Sequence, residues 1–438
     1  MKNTKGITLI ALVITIIVLL ILAGISISML SGDNSILNKA AEAKETTAEK
    51  SLKEETQIVI SGRIAEKKTT GTNVKTLEEE LKEKIKNAEI TGISGNTEAC
   101  YVKRGDVELT VYDSGEIEEG KYEIWDGSTV ECPELKNENG IWNWYIFKPS
   151  QLKFLADFVN NGNSLTGEVD LTSKVTEYNA EDVTMTVDTT IYLMNNLDLG
   201  ARQTNGTKTA GSDWIPIGKD ASNVNNKLGT FEGNNYIIKG VYINTTDSFV
   251  GIFGNSNTIQ NLTVKDSYIT GDYMVGGVVG RIRKGKLENC HNKNTSVTAL
   301  SEEMSSVGGI AGEASTSNTI SKCTNSGTIT GKGITYGGYV GGIVGYGLQS
   351  VIITGCTNNG TIKGEASQVG GIIGIAKNNS KISECVNNAT VSGKKSVSGI
   401  IGETTCVIEK CINNGNIKGK DMQVAGIAAC LGESAYKR

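Results

Sequence analysis

V-G-G-I-A-G at 307–312, V-G-G-I-V-G at 340–345 and V-G-G-I-I-G at 369–374 are copies of one phrase. V-G-I-F-G at 250, V-G-G-V-V-G at 275, V-S-G-I-I-G at 397 and V-A-G-I-A-A at 424 are its relatives, which makes seven copies. The spacing shrinks from 33 residues (307 to 340) to 27 (397 to 424). A second phrase, C-x-N-x-G-x-[IV] in loose form, alternates with the first. Cys290, Cys323, Cys356, Cys385 and Cys411 lead it, and Asn292, Asn325, Asn358, Asn387 and Asn413 follow two residues on. Each copy holds three short β-forming runs, such as V-G-G-I-I-G, K-I-S-E-C and A-T-V-S-G, cut by Gly and Asn. A unit this short cannot bury its apolar face alone, so the copies must stack.

Stacked parallel strands lie about 4.8 Å apart, and equivalent residues then sit above one another. The cysteines become an inward column of small apolar side chains, and the asparagines a ladder of amides bonded from coil to coil. Gly or Ala four residues after most of the cysteines fits a corner with positive φ. The expected object is a parallel β-helix solenoid of the right-handed kind over 249–438, with a lead-in and N-terminal cap over 132–248.

The V-G-G-I-x-G copies resemble GLUG-motif repeats, which occur in large bacterial surface proteins, some of them associated with immunoglobulin A peptidases. W-I-P-I-G at 214–218 and F-E-G-N-N-Y-I-I-K-G at 231–240 look like the lead-in that accompanies such repeats. The resemblance implies surface adhesion or display and does not by itself imply peptidase activity.

Upstream, K-N-T-K-G at 2–6 precedes Ile7 to Leu30, 24 residues without a charge. At about 1.5 Å per residue a helix of that length crosses a hydrocarbon core of about 30 Å. Lys2 and Lys5 keep the short end in the cytoplasm, so everything after Leu30 is expected outside. The run is too long for an ordinary secretory signal. A lipoprotein signal fails because Ile25 stands where a cysteine is required. The basic leader ending in Gly6, followed by I-T-L-I, resembles the amino terminus of type IV pilins and type II secretion pseudopilins. The resemblance implies cleavage after Gly6 by a prepilin peptidase, methylation of Ile7, and assembly with other pilin or pseudopilin subunits. Ala11 departs from the family, which carries glutamate there to pair with a neighbouring subunit's new amino terminus. An ammonium left unpaired in the membrane is expensive, so Ala11 suits a minor or tip subunit.

Beyond Ser31-Gly32-Asp33-Asn34, an interruption, Leu37, Ala41, Ala48, Leu52 and Val59 form one apolar stripe among Lys and Glu. This makes 7–68 a membrane-spanning and then amphipathic pilin-type helix after a 1–6 leader. Thr76 with Glu79 predicts a capping box for a second helix bearing Leu77, Leu81 and Ile85. Strand-like runs at 107–112 and 121–125 complete a small α+β head placed at 75–131. Ser150 is expected to cap a helix carrying Leu152, Leu155, Phe158 and Val159 that stops at Gly162, with loop over 163–188. Trp142 and Trp144 suit a core or cap better than sugar stacking.

A net charge of -5 argues against nucleic acid as partner. The fold class is therefore mainly β, with a long N-terminal helix and a small head before the solenoid. No cofactor or metal is expected: His291 is the single histidine, no C-x-x-C occurs, and thiols one coil apart do not converge on a tetrahedral centre. Free thiols are preferred to disulfides, with Cys406–Cys411 and Cys100–Cys132 left open. The repeat acids Asp266, Asp272, Glu288, Glu313, Glu365, Glu384, Glu403 and Glu409 form no obvious column, and no G-G-x-G-x-D calcium repeat is present. The reading is a single-pass, outward-facing bacterial surface protein with a binding module for an unknown surface or glycan, and not an enzyme. The rivals are a surface polysaccharide lyase or hydrolase, and a signal-anchored protein that never assembles.

Overall fold

The computed structural model describes residues 36–431 apart from 74, 94–95, 205, 220–227, 334–336, 366–367 and 421–422. The leader, Gly6, Ile7, Ala11 and the apolar run to Leu30 lie outside the described residues. Among the described residues no helix is long and apolar enough to cross a membrane. The chain forms two compact units, one ending at Lys121 and the other starting at Tyr122.

In the first unit, helix α1 (Ile36–Thr70) lays one stripe on an antiparallel sheet. Leu52, Thr56, Val59, Ile60 and Arg63 are buried, at the i, i+4, i+7, i+8 and i+11 spacing of one helix face. Ala48, expected in the stripe, is exposed, so the packed face begins one turn later. The side chains of Leu37 and Ala41 lie outside the described residues. Helix α2 (Leu77–Lys84) starts as its sequence requires: Thr76 Oγ1 accepts from the Glu79 amide at 3.3 Å, and the Glu79 carboxylate accepts from the Thr76 amide at 2.9 Å. The sheet runs Glu89–Ile93, Asn96–Arg104, Val107–Tyr112 and Ile117–Glu119 in sequence order. Leu77, Leu81, Cys100, Val102, Leu109 and Val111 close the core with the α1 stripe.

Arg63 ties this unit together. Its guanidinium bonds to Asp113, to Glu80 at 3.0 Å and to the Lys75 carbonyl at 2.6 Å, with only 5% of the residue exposed. Burial works against the Glu80 carboxylate, but Lys84 and Arg63 outweigh it and hold its pKa below the usual range.

The second unit is a parallel solenoid. The expected head ended at 131, but Tyr122–Ile124 pairs in parallel with Asn196–Asp198 and belongs here. The hairpin Glu134–Glu138 and Ile141–Ile146 opens the longest sheet. Helix α3 (Pro149–Asn160) covers that end with Leu152, Leu155, Phe158 and Val159 buried. It starts one residue ahead of the expected cap, because Gln151 Oε1 accepts from the amides of Phe147 and Lys148 at 2.7 and 3.1 Å. Gly162, at φ +78°, ends it. Residues 163–188 are irregular apart from two short 3₁₀ turns at Thr172–Lys174 and Ala180–Asp182.

Each full coil then contributes to four sheets. In one coil these are the valine sheet (Gly337–Gly341), the long sheet (Val344–Gln349 and Ile352–Thr354), the asparagine sheet (Thr357–Asn358) and the glycine-ended sheet (Ile362–Gly364). The sheets hold 7, 15, 9 and 7 strands, and the two seven-stranded ones mark about seven turns. Val250, Val275, Val307, Val340, Val369, Val397 and Val424 pair in unbroken register, so all seven copies of the phrase superpose.

The second glycine of the phrase is fixed by sterics. A Cβ on Gly342 would stand 2.1 Å from the Gly371 carbonyl oxygen and 2.4 Å from Asn358 Cγ, and Gly309 and Gly371 are confined alike. The first glycine is as tight in the middle copies, where a Cβ on Gly341 would stand 1.9 Å from the Val344 carbonyl oxygen, yet Ser398 and Ala425 replace it in the last two. The glycines four residues after the cysteines are not the positive-φ corners the sequence suggested. At Gly327, Gly360 and Gly415 the limit is again approach: a Cβ would meet the previous coil's carbonyl oxygen at 2.2, 2.0 and 1.9 Å. The left-handed residues directly precede the cysteines: Asn289, Lys322, Gly355, Glu384 and Lys410 have φ of 53, 56, 62, 56 and 52°.

Gly342→Ala is expected to lower solenoid stability by about 1–3 kcal/mol through overpacking. Gly426→Ala, where a Cβ would meet nothing within 4 Å, should stay within about 0.5 kcal/mol. Urea unfolding midpoints of the two variants check the pair, and equal shifts would reject the steric account.

Candidate functional site

The residues singled out by the repeat prove structural. Asn292 Nδ2 donates to Asn325 Oδ1 at 2.9 Å, and the links Asn325–Asn358, Asn358–Asn387 and Asn387–Asn413 follow at 2.8 Å each. The cysteine thiols point at carbonyls of the coil below: Cys290 to Ile259, Cys323 to Leu287, Cys356 to Ile320, Cys385 to Ile353 and Cys411 to Ile382, at 3.4–3.9 Å. Burial raises the Cys323 pKa well above the ordinary thiol range. The neighbouring Cys356 thiol and burial push Cys385 up to about 12. A thiol held protonated is neither a nucleophile nor a metal ligand at neutral pH. The eight described cysteines are free, Cys100, Cys132, Cys406 and Cys411 included. His291 bonds to Thr324 and Asn289, at 2.7 and 3.1 Å.

Outside these columns, one corner concentrates chemistry. Where the valine sheet turns into the long sheet, two columns face each other across seven residues. One holds Phe249, Met274, Ser306, Tyr339, Gln368 and Ser396; the other holds Asn255, Arg281, Glu313, Tyr346, Ile375 and Glu403. In the central coil the rings of Tyr339 and Tyr346 stack with centroids 5.0 Å apart, each half-buried. One coil back, the register sets Ser306 opposite Glu313. Ser306 is fully buried, its hydroxyl has no hydrogen-bond partner among the described residues, and Glu313 is 6% exposed. One coil forward, Gln368 Nε2 donates to Glu403 at 2.9 Å, while the Gln368 carbonyl oxygen finds no partner among the described residues. At the near end the Arg281 guanidinium lies 4.7 Å from the Phe249 ring centroid.

Burial pushes the Glu313 carboxyl above its usual pKa against the opposing charge of Arg281, and it pushes up the hydroxyls of Tyr273, Tyr339 and Tyr346. The corner thus presents two half-buried aromatic rings beside polar side chains, the composition of a site for a polar ligand with an apolar face. Glu313 and Glu403 occupy the same register position, with Tyr346 and Ile375 between them. They stand three coils apart, about 14 Å, beyond the separation that two-carboxylate glycoside hydrolysis uses. Glu288, Glu384 and Glu409 sit on other outward positions, and Lys286 and Lys322 pair with Glu288. Trp144 is fully buried against Phe154 and Phe158, a core residue; Trp142 packs edge-on to Tyr178.

No protein-family model matches the chain, and no curated protein does. Among solved structures it is similar to a Bacteroides ovatus protein assigned provisionally as an immunoglobulin A1 protease. The identity is 15% and the TM-score 0.37, over 65% of this chain and 84% of that one. At that score the likeness transfers neither detail nor activity.

Glu313 makes a pH test. Its folded pKa lies above the unfolded one, so the fold favours the protonated acid. The penalty is absent below the unfolded value and grows as pH rises through the folded one. Glu313→Gln removes it, and the stability of the variant relative to the parent should rise as pH climbs from the ordinary carboxyl range toward neutrality. Paired thermal melts check this, and a constant difference across the window rejects it.

Proposed function

We propose that the chain is a surface-displayed binding protein. A processed pilin-type helix carries a small head and a glycan-binding solenoid, as a minor or tip subunit of a type IV pilus or type II secretion pseudopilus. The observation that carries the reading is the first unit: a long charged helix with one buried stripe on a four-stranded antiparallel sheet. That is the arrangement a pilin head takes, and in the sequence it follows an uncharged run long enough to span a bilayer. The tip rank fits Ala11 and bulk, because more than 300 further residues would crowd a fibre if every subunit bore them. The tyrosine step supports the binding half, since half-buried aromatic faces take up the apolar faces of sugar rings while the flanking polar groups reach their hydroxyls.

Mass spectrometry of the mature amino terminus tests the processing half. N-methyl-Ile7 is the expected terminus, and an intact Met1 would leave a signal-anchored protein instead. For the binding half, Tyr339→Ala and Tyr346→Ala are each expected to weaken retention on a neutral glycan array by about tenfold, from the loss of about 1–2 kcal/mol of aromatic contact. Unchanged retention would remove the cleft from the reading.

A further inference from the structure

The glycine-ended sheet bears a second surface of different character. Gly331, Gly364, Gly393 and Gly419 stand in one column. A Cβ there would strike a valine: the buried Val340 Cγ2 at 2.6 Å from Gly331, the buried Val369 Cγ2 at 2.6 Å from Gly364 and the exposed Val424 Cγ2 at 2.4 Å from Gly419. Without those side chains the strand ends settle against the core and leave a trough of about 480 Å³ across four coils, about 14 Å long.

Lysines wall it. Lys363 and Lys418 occupy one outward column two coils apart, about 10 Å, and Lys332 and Lys420 occupy the next outward position three coils apart. Glu365 is the one carboxylate in the lining. Lys332 also faces Glu302 at 3.8 Å, whereas Lys363, Lys418 and Lys420 have no ion-pair partner among the described residues. The same outward column carries Thr270, Thr298 and Thr330 in the preceding coils, so positive charge enters it only at Lys363.

We infer that this trough binds a linear acidic polysaccharide, lying along the solenoid axis with its acidic groups against Lys332, Lys363, Lys418 and Lys420. Charge complementarity selects the class: four lysines line a groove on a chain whose net charge is -5, so the clustering runs against the average field of the protein. Shape selects a polymer, because a trough that crosses several coils matches a chain better than a flat bilayer. No aromatic residue lines it, which removes the stacking on which single-stranded nucleic acid depends. The inference stands apart from the tyrosine cleft and from the processing of the amino terminus.

The test uses the whole 438-residue chain in a non-ionic detergent, with polygalacturonate, dextran sulfate and uncharged dextran as probes. Binding to either acidic polymer and not to dextran is expected, and the preferred polymer shows whether carboxylate or sulfate is recognised. Affinity should fall as salt rises. Lys363→Glu with Lys418→Glu should weaken binding about tenfold or more. Lys322→Glu with Lys410→Glu makes the same change in net charge at side chains 71% and 79% exposed elsewhere, and should leave binding within about twofold. Equal loss in the control pair, no binding to either acidic polymer, or equal binding to single-stranded DNA or anionic vesicles would each overturn the inference.

Discussion

Inside each coil a buried asparagine lies against a glycine that has no room for a Cβ, and the rest of the solenoid depends on that contact. The amide must reach three places: the next asparagine, and the amide and carbonyl of the residue two positions on, as Asn358 does at 2.8, 3.2 and 3.1 Å. It does so only if the opposing strand comes within van der Waals range, which the second glycine of the phrase allows. The two repeated motifs are therefore halves of one device. The earliest copy shows it by exception: V-G-I-F-G has only one glycine between its valine and isoleucine, and the same coil carries Val264 where the later ones carry asparagine. Below Val264 the column continues as Ile238 and Leu197. The ladder thus begins at Asn292, whose Oδ1 faces an apolar neighbour and has no partner among the described residues, a cost of about 1–3 kcal/mol borne once.

A ladder of neutral amides fixes register without charge, and it leaves the outward positions free. Interior columns repeat one residue type for coil after coil: valine, isoleucine, cysteine, asparagine. Several exterior columns do not. The column that includes Tyr339 runs through methionine, serine, tyrosine and glutamine in successive coils, and the one that includes Lys363 passes from threonine to lysine to serine. The scaffold therefore holds arbitrary side chains at a fixed spacing of about 4.8 Å, and binding chemistry is written in departures from the repeat.

This explains what could be read from sequence. The valine, cysteine and asparagine columns were legible because identity recurs at a fixed period. The tyrosine cleft was not, because Tyr339 and Tyr346 occur in one copy and meet only across a corner whose angle no periodicity encodes. Glu313 was visible as an acid, but its burial was not. The misplaced left-handed corners have a similar origin: both positive φ and close approach select glycine, and only the neighbouring coil distinguishes them. In the head, the capping box of Thr76 and Glu79 was legible because it is local. Glu89–Ile93 and Asn96–Arg104 were missed because their alternation is weak, although they pair as a local hairpin. Tyr122–Ile124 looked like another head strand because nothing local marks which sheet a three-residue run will join.

The two units also specify themselves by opposite electrostatic means. The head buries Arg63 against Glu80 and Asp113, an arrangement whose desolvation cost is offset only while every partner is charged. Because the Glu80 pKa is depressed in the fold, its contribution is present above the unfolded carboxyl value and is lost as pH falls through the folded one. The solenoid interior carries no such network on its ladder, and its most buried outward carboxyl, Glu313, has the reverse sign: acidification relieves it. A drop in pH therefore weakens the packing that holds α1 on its sheet while leaving the amide ladder untouched. The binding surfaces lie on coils whose asparagine ladder is built of neutral amides.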